Sequence, residues 1–244
     1  MSVPDPRAAD PRPLTARSVA LSLLLGAHPA RLSPAQLTRA GEHFGVPAAT
    51  LRVALTRAIA SGDLERADGD YVLGERLVER QHRQDEGVLD AETTWDGDWE
   101  MAVVVVAGRT GPERAALRQT LVRARLAELR EGTWMRPANL RRSSPVGDEL
   151  VVRTFHARPD GPADELAAEL WDLASLAREG HALLSTLEGT HEPAARLRAA
   201  SDVVRHLADD PLLPRELLPA DWPGPRLRAA YADYRAELRD LAIA

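Results

Sequence analysis

The run 48-AATLRVALTRAIA-60 holds the side chains best suited to meet a charged partner. Arg52 and Arg57 each carry a planar guanidinium whose donor fork pairs with phosphate oxygens or with the O6 and N7 edge of a guanine. Thr50, Val53 and Thr56 are interleaved with them, short enough to approach base edges or the sugar-phosphate backbone. On a helix, Leu51, Ala54, Leu55, Ala58 and Ile59 fall at i, i+3, i+4, i+7 and i+8 and form one buried face. Thr50, Val53, Thr56 and Arg57 then lie on the opposite side, with Arg52 at its edge. A helix with that outer face fits a major groove.

The overall charge speaks against this reading, since the formal net charge is −6 and the sequence pI is about 5.7. The charge is unevenly placed, however. Between Arg12 and Gly62 there are six arginines and one acid, Glu42, a local excess of +5. Net charge averages over parts with different roles, so the objection fails. All 31 basic residues are arginine, and the chain has no cysteine. That excludes disulfides, thiolate catalysis and cysteine-ligated zinc. The sequence holds no G-x-G-x-x-G, phosphate loop, G-x-S-x-G or H-E-x-x-H. His82, Asp85 and Glu86 match no ligand spacing, and Ser143-Ser144 has no nearby histidine or aspartate pattern. No catalytic residue, metal site or cofactor is assigned. The opening MSVPDPRAADPRP is proline-rich without an apolar core, and no apolar run is long enough to cross a bilayer. A cytoplasmic location with no membrane partner is expected.

Residues 1–13 read as a disordered arm. A helix follows from Thr15 to about Gly26. Ser33-Pro34 caps a second, which runs to Phe44, and Gly45 breaks the chain before the third, which carries Arg52 and Arg57. The segments 63-DLERA-67 and 70-DYVLG-74, joined at Asp68-Gly69, form a hairpin whose Arg66 is a further DNA candidate. Three helices and a two-stranded wing over 14–74 make a winged helix-turn-helix. A charged connecting helix and linker occupies 75–94. A central unit over 95–160 has a buried strand at Met101–Ala107, then a helix opened by Pro112 with Leu117, Leu121 and Leu129 inward. Strands at 132-GTWMRP-137 and 149-ELVVRTFHA-157 complete a small ferredoxin-like α+β unit. From 161 to 244 the chain is helical. DELAAELWDLASLAREGHALLSTL reads as one long helix and HEPAARLRAASDVVRHL as another; a proline-rich turn then leads into RLRAAYADYRAELRDL. The fold class is α+β and multidomain.

In order, 16-ARSVALSLLLG-26, 52-RVALTRAIASGDL-64 with Tyr71-Val72-Leu73, 96-DGDW-99, 132-GTWMRP-137 and 210-DPLLPRELLPADWPG-224 resemble the PaaX-type transcriptional repressors. The last stretch is the most specific. The resemblance implies an N-terminal winged helix, a central domain like the Cas2 fold and a C-terminal helical domain. It also implies a homodimer on a double-stranded DNA operator, released by an aryl-acetyl coenzyme A thioester such as phenylacetyl-CoA. The chain departs from the family at 124-ARLAELRE-131, where a Gly-Phe-Gly-like stretch is common, and at Gly180-His181, where an aromatic is common.

A CoA thioester needs arginines at the mouth of its site and an apolar pocket behind. Trp134 and Arg136, followed by Arg141, Arg142 and Arg153, form the candidate neighbourhood; the alternative is that Trp134 is core and these arginines are solvated. Two rival functions stay open. One is a DNA-binding regulator without a small-molecule effector. The other is a Cas2-like metal-dependent nuclease, disfavoured because no carboxylate follows 103-VVVVAGRTG-111 until Glu113.

Overall fold

The computed structural model of the chain describes residues 14–88, 94–141 and 150–243. Contacts divide the chain into two compact units: Met1–Arg83 with Leu187–Asp202 and Ala230–Ala244, and Gln84–Thr186 with Val203–Ala229. The 1–13 arm, most of the 89–94 linker, Arg142 and Ser143-Ser144 lie outside the described residues.

The first unit begins with α1 (Ala16–Gly26), β1 (Arg31–Leu32), α2 (Pro34–His43), α3 (Ala48–Ala60), β2 (Leu64–Ala67) and β3 (Asp70–Leu73). Both α1 and α2 start in capping boxes, Thr15 with Ser18 and Ser33 with Gln36, the second followed by proline at its first position. Helix α2 ends in a glycine-led turn: Gly45 has φ +70°, and the Val46 amide donates back to Gly41 O at 2.9 Å. Gly41 also lets α2 approach α3, since a Cβ there would lie 3.0 Å from Leu51 Cδ2. Leu51, Leu55 and Ala58 of α3 are buried with Val19, Leu24 and Leu37. Ile59, expected on that face, is exposed at the helix end. The hairpin β2–β3 turns at Asp68-Gly69, both at positive φ, and pairs Leu64 with Leu73. The strand order β1-β3-β2 adds one strand that the apolar pattern did not reveal, because two residues carry no periodicity.

α4 (Glu75–Val88) follows, running further than the helical first half read from the sequence. Gln81 is buried and its amide donates to Leu25 O and Ala27 O at 2.9 and 3.0 Å, closing the open carbonyls at the end of α1. Later in the chain, Arg196 lies 5.3 Å from the ring of buried Tyr234 and pairs with Glu237, again within the first unit.

The second unit contains β4 (Trp99–Val104), α5 (Gly111–Arg123), β5 (Ala127–Arg130), β6 (Thr133–Pro137) and β7 (Val152–Ala157). Its sheet is antiparallel in the order β5-β6-β4-β7, the ferredoxin-like arrangement. One face carries Ala102, Trp134 and Val152 against Leu121 and Leu126; the other packs Trp99 and Met135 with Ala167, Leu173 and Leu213.

Three expectations fail here. The buried strand stops at Val104, and Val105 and Val106 are exposed beyond it. Leu129 is not on the helix but on β5, half-exposed; the helix ends at Arg123, and the turn passes through Arg125 at φ +60°. The single long helix after Pro162 is two, α6 (Ala163–Leu170) and α7 (Leu173–Gly189). Trp171 adopts extended dihedrals, and Asp172 accepts the Ser175 amide at 2.9 Å and so caps a new start. α8 (Pro193–Asp209), a 3-10 turn at Arg215–Leu217 and α9 (Gly224–Ile243) complete the chain.

Candidate DNA-reading face

Helix α3 sets the geometry of the face. Its buried stripe fixes the rotation, so Thr50, Arg52, Val53, Thr56 and Arg57 all project outward and all are exposed. Val53 is 52% exposed, an apolar side chain of a size to contact a thymine methyl. Neither Arg52 nor Arg57 has an ion-pair or hydrogen-bond partner for its guanidinium among the described residues. Thr56 Oγ1 donates to Arg52 O at 3.0 Å, which fixes its side-chain rotamer.

Thr50, Val53 and Arg57 share an open hollow with Thr15, Ala16 and Arg17 at the start of α1. Arg17 and Arg57 thus border one hollow at the N-terminal end of α1, where the helix dipole is positive. Sequence reasoning did not place Arg17 beside α3 because some thirty residues separate the two, and α1 was read only as core.

Arg66 stands on the wing. Its guanidinium donates to Gly69 O at 2.6 Å and lies 4.1 Å from the centre of the Tyr71 ring, so it braces the hairpin turn while remaining exposed. Arg31 reaches the same turn from β1, with Nη2 3.2 Å from Asp68 Oδ2.

Asp63 holds these parts in register. It is 1% exposed and accepts hydrogen bonds from Ser61 Oγ at 2.7 Å, from Arg76 and from Arg17. The Ser61 hydroxyl, then the two guanidinium groups, hold its carboxyl below the ordinary value of 3.8, against the opposing effect of burial. One carboxylate thus joins α1, the end of α3 and the start of α4.

The second group of expected residues is dispersed. Trp134 is buried against Ala102 and Leu121, with Arg118 5.1 Å from its ring. Arg136 is fully buried and stands at no mouth. Its guanidinium donates to Leu212 O and Pro137 O at 3.0 Å, to Pro211 O at 3.3 Å and to Asn139 Oδ1 at 2.8 Å. Arg141 and Arg153 are exposed on a loop and on β7, and Arg142 lies outside the described residues. Among the described residues these side chains form no common site.

Arg136 instead grips the stretch 210-DPLLPRELLPADWPG-224. Asn139 Nδ2 donates to Leu212 O at 2.9 Å, and Arg125 donates to the carbonyls of Ala208 and Asp210. Asp210 is buried, accepts the Leu212 amide at 2.9 Å and pairs with Arg228 at 2.6 Å. A Cβ on Gly224 would come within 2.6 Å of Trp222 Nε1 and 3.0 Å of Asp210 Oδ2. The spacing of this stretch is therefore a packing requirement. Gly180 is explained in the same way, since a Cβ there would meet Pro223 at 2.6 Å.

Among the described residues no group of histidine and acidic side chains could hold a metal, and Glu113 serves the α5 cap by accepting from the Thr110 amide at 2.7 Å. No described helix is long and apolar enough to cross a membrane.

Comparison with known proteins agrees with this division of labour. Residues 15–77 match the model described as PaaX-like protein, 92–164 that of the PaaX protein central Cas2-like domain, and 171–244 that of the PaaX-like protein C-terminal domain. A solved structure of an uncharacterized protein from Mycobacterium tuberculosis is 45% identical, with a TM-score of 0.80, over 93% of this chain and 97% of that one. No curated protein matches. With all three family domains present in order around an exposed arginine-bearing helix, the chain belongs to the PaaX family and is a DNA-binding transcriptional regulator.

Proposed function

We propose that the protein is a ligand-responsive repressor that binds a two-fold DNA operator as a homodimer and leaves it when an aryl-acetyl-CoA thioester, such as phenylacetyl-CoA, binds. The observation that carries the DNA part is the outer face of α3, where Arg52 and Arg57 stand exposed, with no ion-pair or hydrogen-bond partner for either guanidinium among the described residues. Exposed guanidinium groups flanking an exposed valine and two threonines combine phosphate contact with short side chains for base edges. The effector part rests on membership of the family. Dimerisation follows from reading length: one winged helix spans few base pairs, and a second copy doubles them.

The test is selection of bound duplexes from a random pool, followed by fluorescence anisotropy on the enriched site with and without phenylacetyl-CoA. An enriched palindrome whose binding weakens with the thioester supports the proposal. Uniform, sequence-independent binding refutes a repressor. A regulator without any effector is the second reading, favoured by the burial of Arg136, and operator binding indifferent to every acyl thioester tried would establish it.

A further inference from the structure

The first unit contains a cavity of about 450 Å³ that shares no residue with the reading face. It opens between the end of α1, the turn into β1 and the outer part of α9. Buried Leu23 and Leu32 line its inner part, and Ala236 and Leu238 of α9 add apolar wall. The exposed side chains at its rim include His28, Arg31 and Arg239, and Arg235, half-buried, lies 2.6 Å from His28 Nδ1. Among the described residues the lining contains no carboxylate, although Asp240 pairs with Arg239 at 3.8 Å. An apolar interior of this size under a cationic rim has the dimensions and chemistry of a small-molecule site.

Arg31 gives the cavity a mechanical connection. The same guanidinium that borders it pairs with Asp68 at 3.2 Å and Asp70 at 4.0 Å, the residues at the wing turn. Both partners of the closer pair are exposed, so the bond is weak and open to competition. β1 also pairs directly with β3, Arg31 opposite Val72.

We propose that this cavity binds an anion with an apolar acyl body, and that the anion draws Arg31 from Asp68 and so acts on the wing. The apolar body fills the space beside Leu23 and Leu32, and the anionic group meets Arg31 and Arg239. A free carboxylic acid and the acyl end of a thioester share that chemistry. The proposal deepens the reading of the chain as a ligand-responsive regulator and rests on it.

Calorimetry on the full chain, without DNA, tests it with phenylacetate and phenylacetyl-CoA as separate probes. At least one binds the wild-type protein; saturation by the acid alone identifies a carboxylate sensor, and by the thioester alone an acyl-CoA sensor. Ala236→Phe, which fills the cavity, weakens that binding at least tenfold. Arg239→Gln, at an exposed position that leaves folding intact, weakens it at least threefold. On operator DNA, Arg31→Gln makes affinity independent of the probe. The proposal is overturned if neither probe binds, or if both variants bind as tightly as wild type. A chain that binds a probe but no operator would instead sink the repressor reading and leave the cavity standing.

Discussion

Arg52 and Arg57 make separable predictions at the scale of single side chains. A residue that contacts only phosphate changes the salt dependence of binding, so its loss flattens the log-affinity against log-salt slope by about one unit on every sequence. A residue that reads a base loses about 1–3 kcal/mol on the cognate site alone. Arg57 borders the hollow beside the start of α1, so Arg57→Ala is expected to flatten the slope. Arg52 lies on the other flank, and Arg52→Ala is expected to lose sequence preference; gel-shift titrations at several salt concentrations check both. Asp63 acts on stability. Its Ser61, Arg76 and Arg17 hydrogen bonds favour the ionised form, so its folded value lies below 3.8. The stabilisation is complete above that value and is lost as pH falls through the lower folded one. Asp63→Asn should lower stability by about 2 kcal/mol at neutral pH, and the gap from wild type should close below about pH 4. Thermal melts across that range measure it, and a gap constant with pH would show the carboxylate charge to be irrelevant.

Two joints carry the argument at the scale of elements. Gly74 ends β3 so close to the α3–β2 turn that a Cβ would collide with Gly62 O, a backbone atom that cannot step aside. Gly74→Ala should cost about 3 kcal/mol of stability, read by urea unfolding. Arg136 bonds three carbonyls and Asn139 in a fully buried setting. Arg136→Met removes those donors and leaves buried oxygens unpaired, which should cost about 3 kcal/mol. The surviving folded protein should bind DNA with an unchanged salt slope. These joints mark the boundary of what the sequence showed. The helices of the reading domain were legible because their caps are local: Ser33-Pro34 and Gly45 act on their own neighbours. The break at Trp171 was not, because its apolar periodicity runs straight across a change in backbone direction. The burial of Arg136 was not legible, because an arginine beside a tryptophan looks the same whether its partners are phosphates or carbonyls 75 residues away. The outer face of α3 was readable for the opposite reason, since exposure there follows from the buried stripe of the same helix.

The question at the scale of the whole molecule is how many copies act together. A homodimer gives a mass near twice 26.6 kDa in light scattering at micromolar protein, and a footprint with two equivalent halves. A monomer both free and on DNA would remove the two-fold operator from the proposal.

The first unit is assembled from three separated stretches, of which Ala230–Ala244 follows every residue of the second. During synthesis, α1 to β3 leave the ribosome long before the part of α9 that lines their cavity exists. Until the second unit has been translated, the side of the cavity lined by Leu23 and Leu32 therefore lacks its α9 wall. Stalled or truncated chains would expose that surface, making it a natural handle for chaperones and proteases.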